Sequence, residues 1–358
     1  MIEFFQRKWL NKEAEKRAKE HVCEKILRVC LWLVGILVTL ALVVLIAFQV
    51  SPRPGAYLIG KMFNDEVKIT DETAYQKSLP HVTVKNDLTY TSDYDRSTFD
   101  LYHPQGASKV PVVFWVHGGG YVGGDKEGAK EFATYLADRG QVAVVSLNYE
   151  WAPSLEYPGQ VKQINQAYQS IKKEAAQYPM LDFKKVIFGG DSAGSQIAGQ
   201  FLAIQTNSDY AKDMKMTQVI PSGDIKGFIS YCGPVDLKQM AHQTSDDRFM
   251  KFFVKTVAWS LLGTKDWKNS KELQQVSLVN KLTKEFPPTY ITDGNAYSFQ
   301  DQGIAFDQKL QELDVPVKSL FYKDVPEAVN HEYQFDYSLE ESKKCLDETL
   351  DFLKNVML

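Results

Sequence analysis

The chain has 358 residues with 44% hydrophobic and 24% charged content, a globular balance, and its net charge of −4 excludes the basic footprint that nucleic-acid binding needs. Its four cysteines are too few for a disulfide framework, and neither a zinc spacing nor C-x-x-C is present. Nothing in the spacing of His, Cys, Asp and Glu asks for a metal or an organic cofactor, and all four thiols read as structural.

In chain order, residues 1–28 carry eight Lys or Arg mixed with acidic residues, a charged stub with helical character. Residues 29–48 then hold no charge over twenty positions, the length of a membrane-crossing helix. Only Arg53 is basic in the ten residues that follow. The bias predicts an uncleaved signal-anchor at 29–50, single-pass in the cell membrane, with the stub in the cytoplasm and the rest outside it. A cleaved signal peptide fits less well, because the charged lead is long and no A-x-A site follows the run. Residues 51–55, SPRPG, are a breaker cluster expected to end the helix and start a linker, and 51–85 read as linker or cap.

Residues 86–358 form the main body. Apolar runs of strand length end at 116, 147, 188, 232, 292 and 322, with helical patterns between most of them, such as 129–139, 161–176 and 339–356. Continuous apolar strands alternating with helices predict a mainly parallel sheet covered by helices on both faces. Residues 88–102 look instead like antiparallel edge strands. Between 237 and 286 there is no strong strand, but Phe249, Phe252, Phe253, Trp259 and Trp267 recur, which suggests a helical cap insertion over an apolar pocket.

One stretch carries chemistry. In VIFGGDSAGSQ, residues 186–196, a strand runs into small residues around Ser192 and then into a helical pattern. Gly190 to Gly194 fit G-x-S-x-G, the strand-to-helix elbow that exposes a nucleophilic serine on a strained backbone. A serine hydroxyl needs a base, an acid to orient that base, and donors for the oxyanion. His117-Gly118-Gly119-Gly120, directly after a buried strand, offers backbone donors. Only His242 and His331 follow Ser192. His242 falls in the insertion, whereas His331 follows the last strand and precedes the last helix, so order and placement favour His331 as the base.

HGGGYVGGD, NYEWAPSLEYPG, GGDSAGS and the late His331 together make residues 85–356 resemble an α/β-hydrolase of the hormone-sensitive-lipase-like esterase branch. The resemblance implies that Gly119, Gly120 and Ala193 supply the oxyanion N–H groups, that His117 holds its loop, and that Asp191 sets the elbow. It also exposes a departure. The family's loop G-x-x-D-P-L-x-D-x-G aligns with residues 294–303, but Tyr297 stands where the triad acid belongs. Three replacements remain open: Asp293 at the strand end, taken first; Asp236 after the preceding strand, the alternative; and Asp301, the family's second aspartate. The expected function is a membrane-anchored serine esterase, forming an acyl-enzyme at Ser192 on a small-molecule or lipid-like ester. Its rivals are a serine acyltransferase or deacetylase, and a non-catalytic surface binding protein of the same fold.

Overall fold

The computed structural model describes residues 1–64, 67–242 and 246–357. They fall into two units, Met1–Pro54 and Gly55–Leu358. The first is one helix, α1 (Ile2–Val50), with no buried residue. It joins the charged stub and the apolar run in a single rod, and its most apolar stretch has a mean hydropathy of 3.1, long and apolar enough to cross a membrane. The breaker cluster ends α1 but begins no linker. A second helix, α2 (Arg53–Lys61), starts at once, with Pro54 in the first turn, where a missing N–H costs nothing.

The second unit is built on one eight-stranded sheet. Its strands are β1 (Val82–Thr89), β2 (Thr98–Pro104), β3 (Val110–Val116), β4 (Ala143–Leu147), β5 (Leu181–Asp191), β6 (Ile225–Tyr231), β7 (Thr289–Asp293) and β8 (Val317–Phe321). They lie in the order β1-β2-β4-β3-β5-β6-β7-β8. The β1–β2 and β2–β4 pairs are antiparallel and every later pair is parallel. The continuous apolar run of β3 follows from this position. Val112, Phe114 and Val116 enter one core and Val113 and Trp115 the other, so neither face tolerates a polar side chain.

Among the described residues, ten more α-helices follow in chain order: α3 (Glu72–Ser78), α4 (Lys130–Gly140), α5 (Gly159–Lys173), α6 (Ala193–Thr206), α7 (Ser208–Asp213), α8 (Leu237–His242), α9 (Arg248–Leu262), α10 (Lys271–Val276), α11 (Gln300–Glu312) and α12 (Glu340–Met357). Helices α4 and α12 cover one face through Phe132, Leu136, Leu346 and Leu353, while α5, α6 and α11 cover the other through Ile164, Phe201 and Phe306. The insertion holds α8 to α10. Its main helix α9 is bounded by signals legible in the chain: Asp247 accepts from the N–H of Phe249 and Met250, and Gly263 ends the helix at φ 70°. Helix α2 packs on α9, because a side chain at Gly55 would strike Thr256 and Phe252. Residues 55–63 thus pack against the insertion, with the Phe63 ring edge-on to Phe253 at 6.3 Å.

Candidate active site

The strand β5 delivers Ser192 at the sheet's C-terminal edge, the usual place for ligands in open α/β sheets. Ser192 sits at φ 47° and ψ −120°, a region that non-glycine residues rarely adopt. The strain persists because the turn is over-determined. Ser192 N–H donates to the carbonyl of Tyr231 at 2.9 Å, and α6 begins at the next residue. The small residues of the motif are required by crowding: a side chain at Gly194 would run into the carbonyls of Val116 and His117. The nucleophile elbow therefore needs glycine where β3 and α6 nearly touch.

His331 enters from the loop between β8 and α12. Its Nε2 lies 3.0 Å from Ser192 Oγ. Its Nδ1 faces Asp293 Oδ1 at 3.7 Å, an ion-pair separation just outside hydrogen-bond reach, and finds no other partner among the described residues. Because a carboxylate at neutral pH only accepts, Nδ1 carries the proton and Nε2 turns its lone pair to the hydroxyl. Asp293 is held by two backbone donors, Gly294 N–H at 2.8 Å and Phe299 N–H at 2.6 Å.

Asn295, unremarked in the sequence, ties the two loops together. Its amide donates toward the carbonyls of Tyr322, Val325 and Glu327 at 3.1, 2.9 and 3.0 Å, and its oxygen accepts from Val329 N–H at 2.8 Å. A signal for it existed in the G-N pair after a strand, a turn former with local hydrogen-bonding capacity.

The other sequence candidates fall elsewhere. Asp236 accepts from Gln239 at 3.3 Å, and its N–H donates to Gln302 at 2.9 Å. Among the described residues its second carboxylate oxygen is buried without a partner, and it makes no hydrogen bond or ion pair with His331. Asp301 lies exposed in the first turn of α11. His242 ends α8 in the insertion. Tyr297, at the family's acid position, is 77% exposed with φ 53°.

The glycine loop lies beside the serine. Gly119 and Gly120 have φ of 106° and 58°, and among the described residues nothing accepts from their N–H groups. Ala193 is the first residue of α6, where a helix leaves its N–H groups unsatisfied. Asp191 fastens this loop to the elbow, accepting from Trp115 Nε1 at 2.9 Å and from Gly118 N–H at 2.7 Å. Burial, with Glu332 adding repulsion, pushes the Asp191 carboxyl up to about 7. His117 Nδ1 lies 2.6 Å from the carbonyl of Gly118, and its ring stacks on Tyr149. Burial holds its pKa down to about 4, so it stays neutral and structural.

Burial also works against protonating His331, but the carboxylates of Asp293, Glu332 and Asp191 outweigh it and leave the imidazole pKa raised. Glu332 escaped the sequence reading, although its place next to His331 marked it. It lines the same cavity as Ser192 and His331. That cavity holds about 230 Å³ and is walled by Phe63, Leu237, Phe253, Val257 and Leu261, with few polar atoms. Cys232, Asp293 and His331 place ligand atoms within 4.8 Å of one another, a metal-sized triangle. Burial raises the Cys232 thiol well above its usual range, and both Asp293 oxygens already accept backbone bonds, so the set fits a metal poorly.

Comparison with known proteins follows the same lines. The BD-FAE family model matches residues 99–310. A protein of Acanthamoeba polyphaga mimivirus assigned to the α/β hydrolases is 25% identical over 282 residues, 73% of this chain and 77% of that one. An esterase of Gibberella moniliformis is 26% identical over 220 residues, and human bile salt-activated lipase 29% over 168. Those alignments cover 58% and 42% of this chain, but only 63% of the fungal protein and 22% of the human one. Among solved structures, esterase B from Lactobacillus rhamnosis superposes with a TM-score of 0.65 at 20% identity, over 81% of this chain and 88% of that one. A bacterial heroin esterase gives 0.63 at 18%, over 85% and 98%. At such identities the likeness establishes the α/β-hydrolase fold.

Proposed function

This chain belongs to the BD-FAE family of α/β-hydrolases, serine hydrolases of the esterase and lipase branch, and from that premise we propose that it is a membrane-anchored esterase working through an acyl-enzyme at Ser192. The observation that carries the reading is the 3.0 Å contact between Ser192 Oγ and His331 Nε2 on a strained elbow that opens into an apolar cavity. Ser192 Oγ attacks the ester carbonyl while His331 takes its proton. The tetrahedral oxyanion is met by the N–H groups of Gly119, Gly120 and Ala193, at the N-terminal end of α6, whose dipole favours negative charge. The C–O bond to the alcohol then breaks, and His331 returns the proton to the departing oxygen. Water, deprotonated by the same imidazole, releases the carboxylic acid. Asp293 orients His331 and stabilises its charged form, and its 3.7 Å contact closes as the imidazolium forms. Residues 1–28 form the cytoplasmic stub, 29–50 the span, 51–81 a linking segment of which 55–63 join the cap insertion 237–286, and 82–358, beginning with β1, the extracytoplasmic catalytic body.

A fluorophosphonate tests the reading on the full chain. Stoichiometric labelling at Ser192, read by peptide mapping and lost in Ser192→Ala, is the expected result. A folded protein that refuses the reagent overturns it in favour of a binding scaffold.

The pH profile follows from the charges around the base. Hydrolysis requires neutral His331, and the surrounding carboxylates raise its pKa, so the acidic limb of kcat/KM is shifted to higher pH than an unperturbed imidazole would give. Glu332→Gln removes one of the carboxylates that favour the imidazolium and moves that limb to lower pH. A limb that stays in place shows that Glu332 does not act on the base.

A further inference from the structure

The chain is acidic overall, yet residues 237–286 hold nine Lys or Arg against five Asp or Glu. Four of those lysines line a second cavity of about 750 Å³, which shares Met250, Phe253, Trp267, Tyr297 and Phe299 with the catalytic one. Lys251 and Lys255 stand one turn apart on α9, and Lys265 and Lys268 follow just beyond its end. Lys265 and Lys268 lie over the rings of Trp259 and Trp267, at 5.6 and 5.5 Å. Two carboxylates share the wall, Asp266, which accepts from Asn269, and Asp301. Among the described residues no carboxylate pairs with Lys251, Lys255 or Lys268. Tyr297 is one of the residues that line both cavities and stands where the resembling esterases carry a carboxylate. A carboxylate there would repel an anion at the divide between the cavities, whereas a phenol does not.

We propose that the lysine cleft is a second subsite that takes the anionic end of the substrate. It rests on the esterase reading above. The acyl chain occupies the apolar cavity, its carbonyl reaches Ser192, and the alcohol portion bears a carboxylate, sulfate or phosphate that lies among Lys251, Lys255 and Lys268. The reaction is the hydrolysis already written, with an anionic alcohol as leaving group. The lysines take no part in bond making. They raise the local concentration of the anion and hold its end, so their effect falls on KM and weakens with salt.

The test compares para-butyryloxybenzoate, an anionic ester, with its neutral methyl ester, on the full chain. The ratio of kcat/KM for the anionic over the neutral ester is expected to fall about tenfold in Lys251→Gln/Lys255→Gln/Lys268→Gln, as three partly screened charges are lost. In the wild type the same ratio falls by a similar factor at about 1 M salt, where the Debye length is about 3 Å. The neutral ester keeps its kcat/KM within about twofold in the triple variant, as expected for surface changes, which serves as the folding control. A wild-type ratio indifferent to salt overturns the proposal without any variant, as does a ratio that survives the triple substitution. A wild type that cleaves neither ester overturns the esterase reading instead.

Discussion

Ser192→Ala lowers kcat for ester hydrolysis by roughly 10⁴- to 10⁶-fold, and His331→Ala does the same, because each removes half of one proton-transfer unit. The double variant loses no more than either single one, since a base without its nucleophile has nothing to activate. On the proposed reading, the remaining rate comes from the N–H groups of Gly119, Gly120 and Ala193, which would still meet the oxyanion when water attacks directly. The alanine keeps the elbow, because the strained φ of 47° is imposed by the Tyr231 carbonyl and the start of α6, and not by the hydroxyl. Circular dichroism should therefore match the wild type while turnover disappears. A Ser192→Ala variant that retains even a hundredth of the rate would place the nucleophile elsewhere.

The second large effect separates the acids. Asp293→Asn is expected to cost roughly 10³- to 10⁴-fold in kcat, because the amide cannot stabilise the imidazolium or hold the productive tautomer. Its two oxygens accept from Gly294 and Phe299, so an amide nitrogen also faces a donor on one side and disturbs the loop. Asp236→Asn, in contact with Gln239 and Gln302, is expected to change kcat by less than about threefold. Steady-state kinetics on one neutral ester decides between them. Equal losses would mean that the carboxylate orienting His331 has been misidentified.

Much of the fold was legible because local chemistry and burial agree. The run VPVVFWV can only be a strand covered on both sides, and β3 lies inside the sheet with its side chains divided between two cores. The crowding of glycine and alanine around Ser192 announced a tight turn, and the structure shows β3 pressed against the first turn of α6 there. His331 could be favoured from chain order alone, since a parallel sheet brings the ends of successive strands to one edge.

Other features depended on the three-dimensional path. The breaker cluster at 51–55 reads as a linker by composition, but α2 begins inside it because proline is neutral in a first turn. Met62 and Phe63, which follow that helix, help wall the cavity, an outcome of the helix packing against α9 that no local pattern announces.

The order of residues in the chain by itself determined the strand sequence, the elbow and the candidate base, because each depends on neighbours a few positions away or on chain order. Only the tertiary structure decided which carboxylate faces His331. Asp236 in a loop, Asp293 at the end of β7 and Asp301 in the first turn of α11 all fall near the same sheet edge, and nothing local distinguishes them. Asn295 draws the loops after β7 and β8 together, and that long-range bond places Asp293 3.7 Å from the ring.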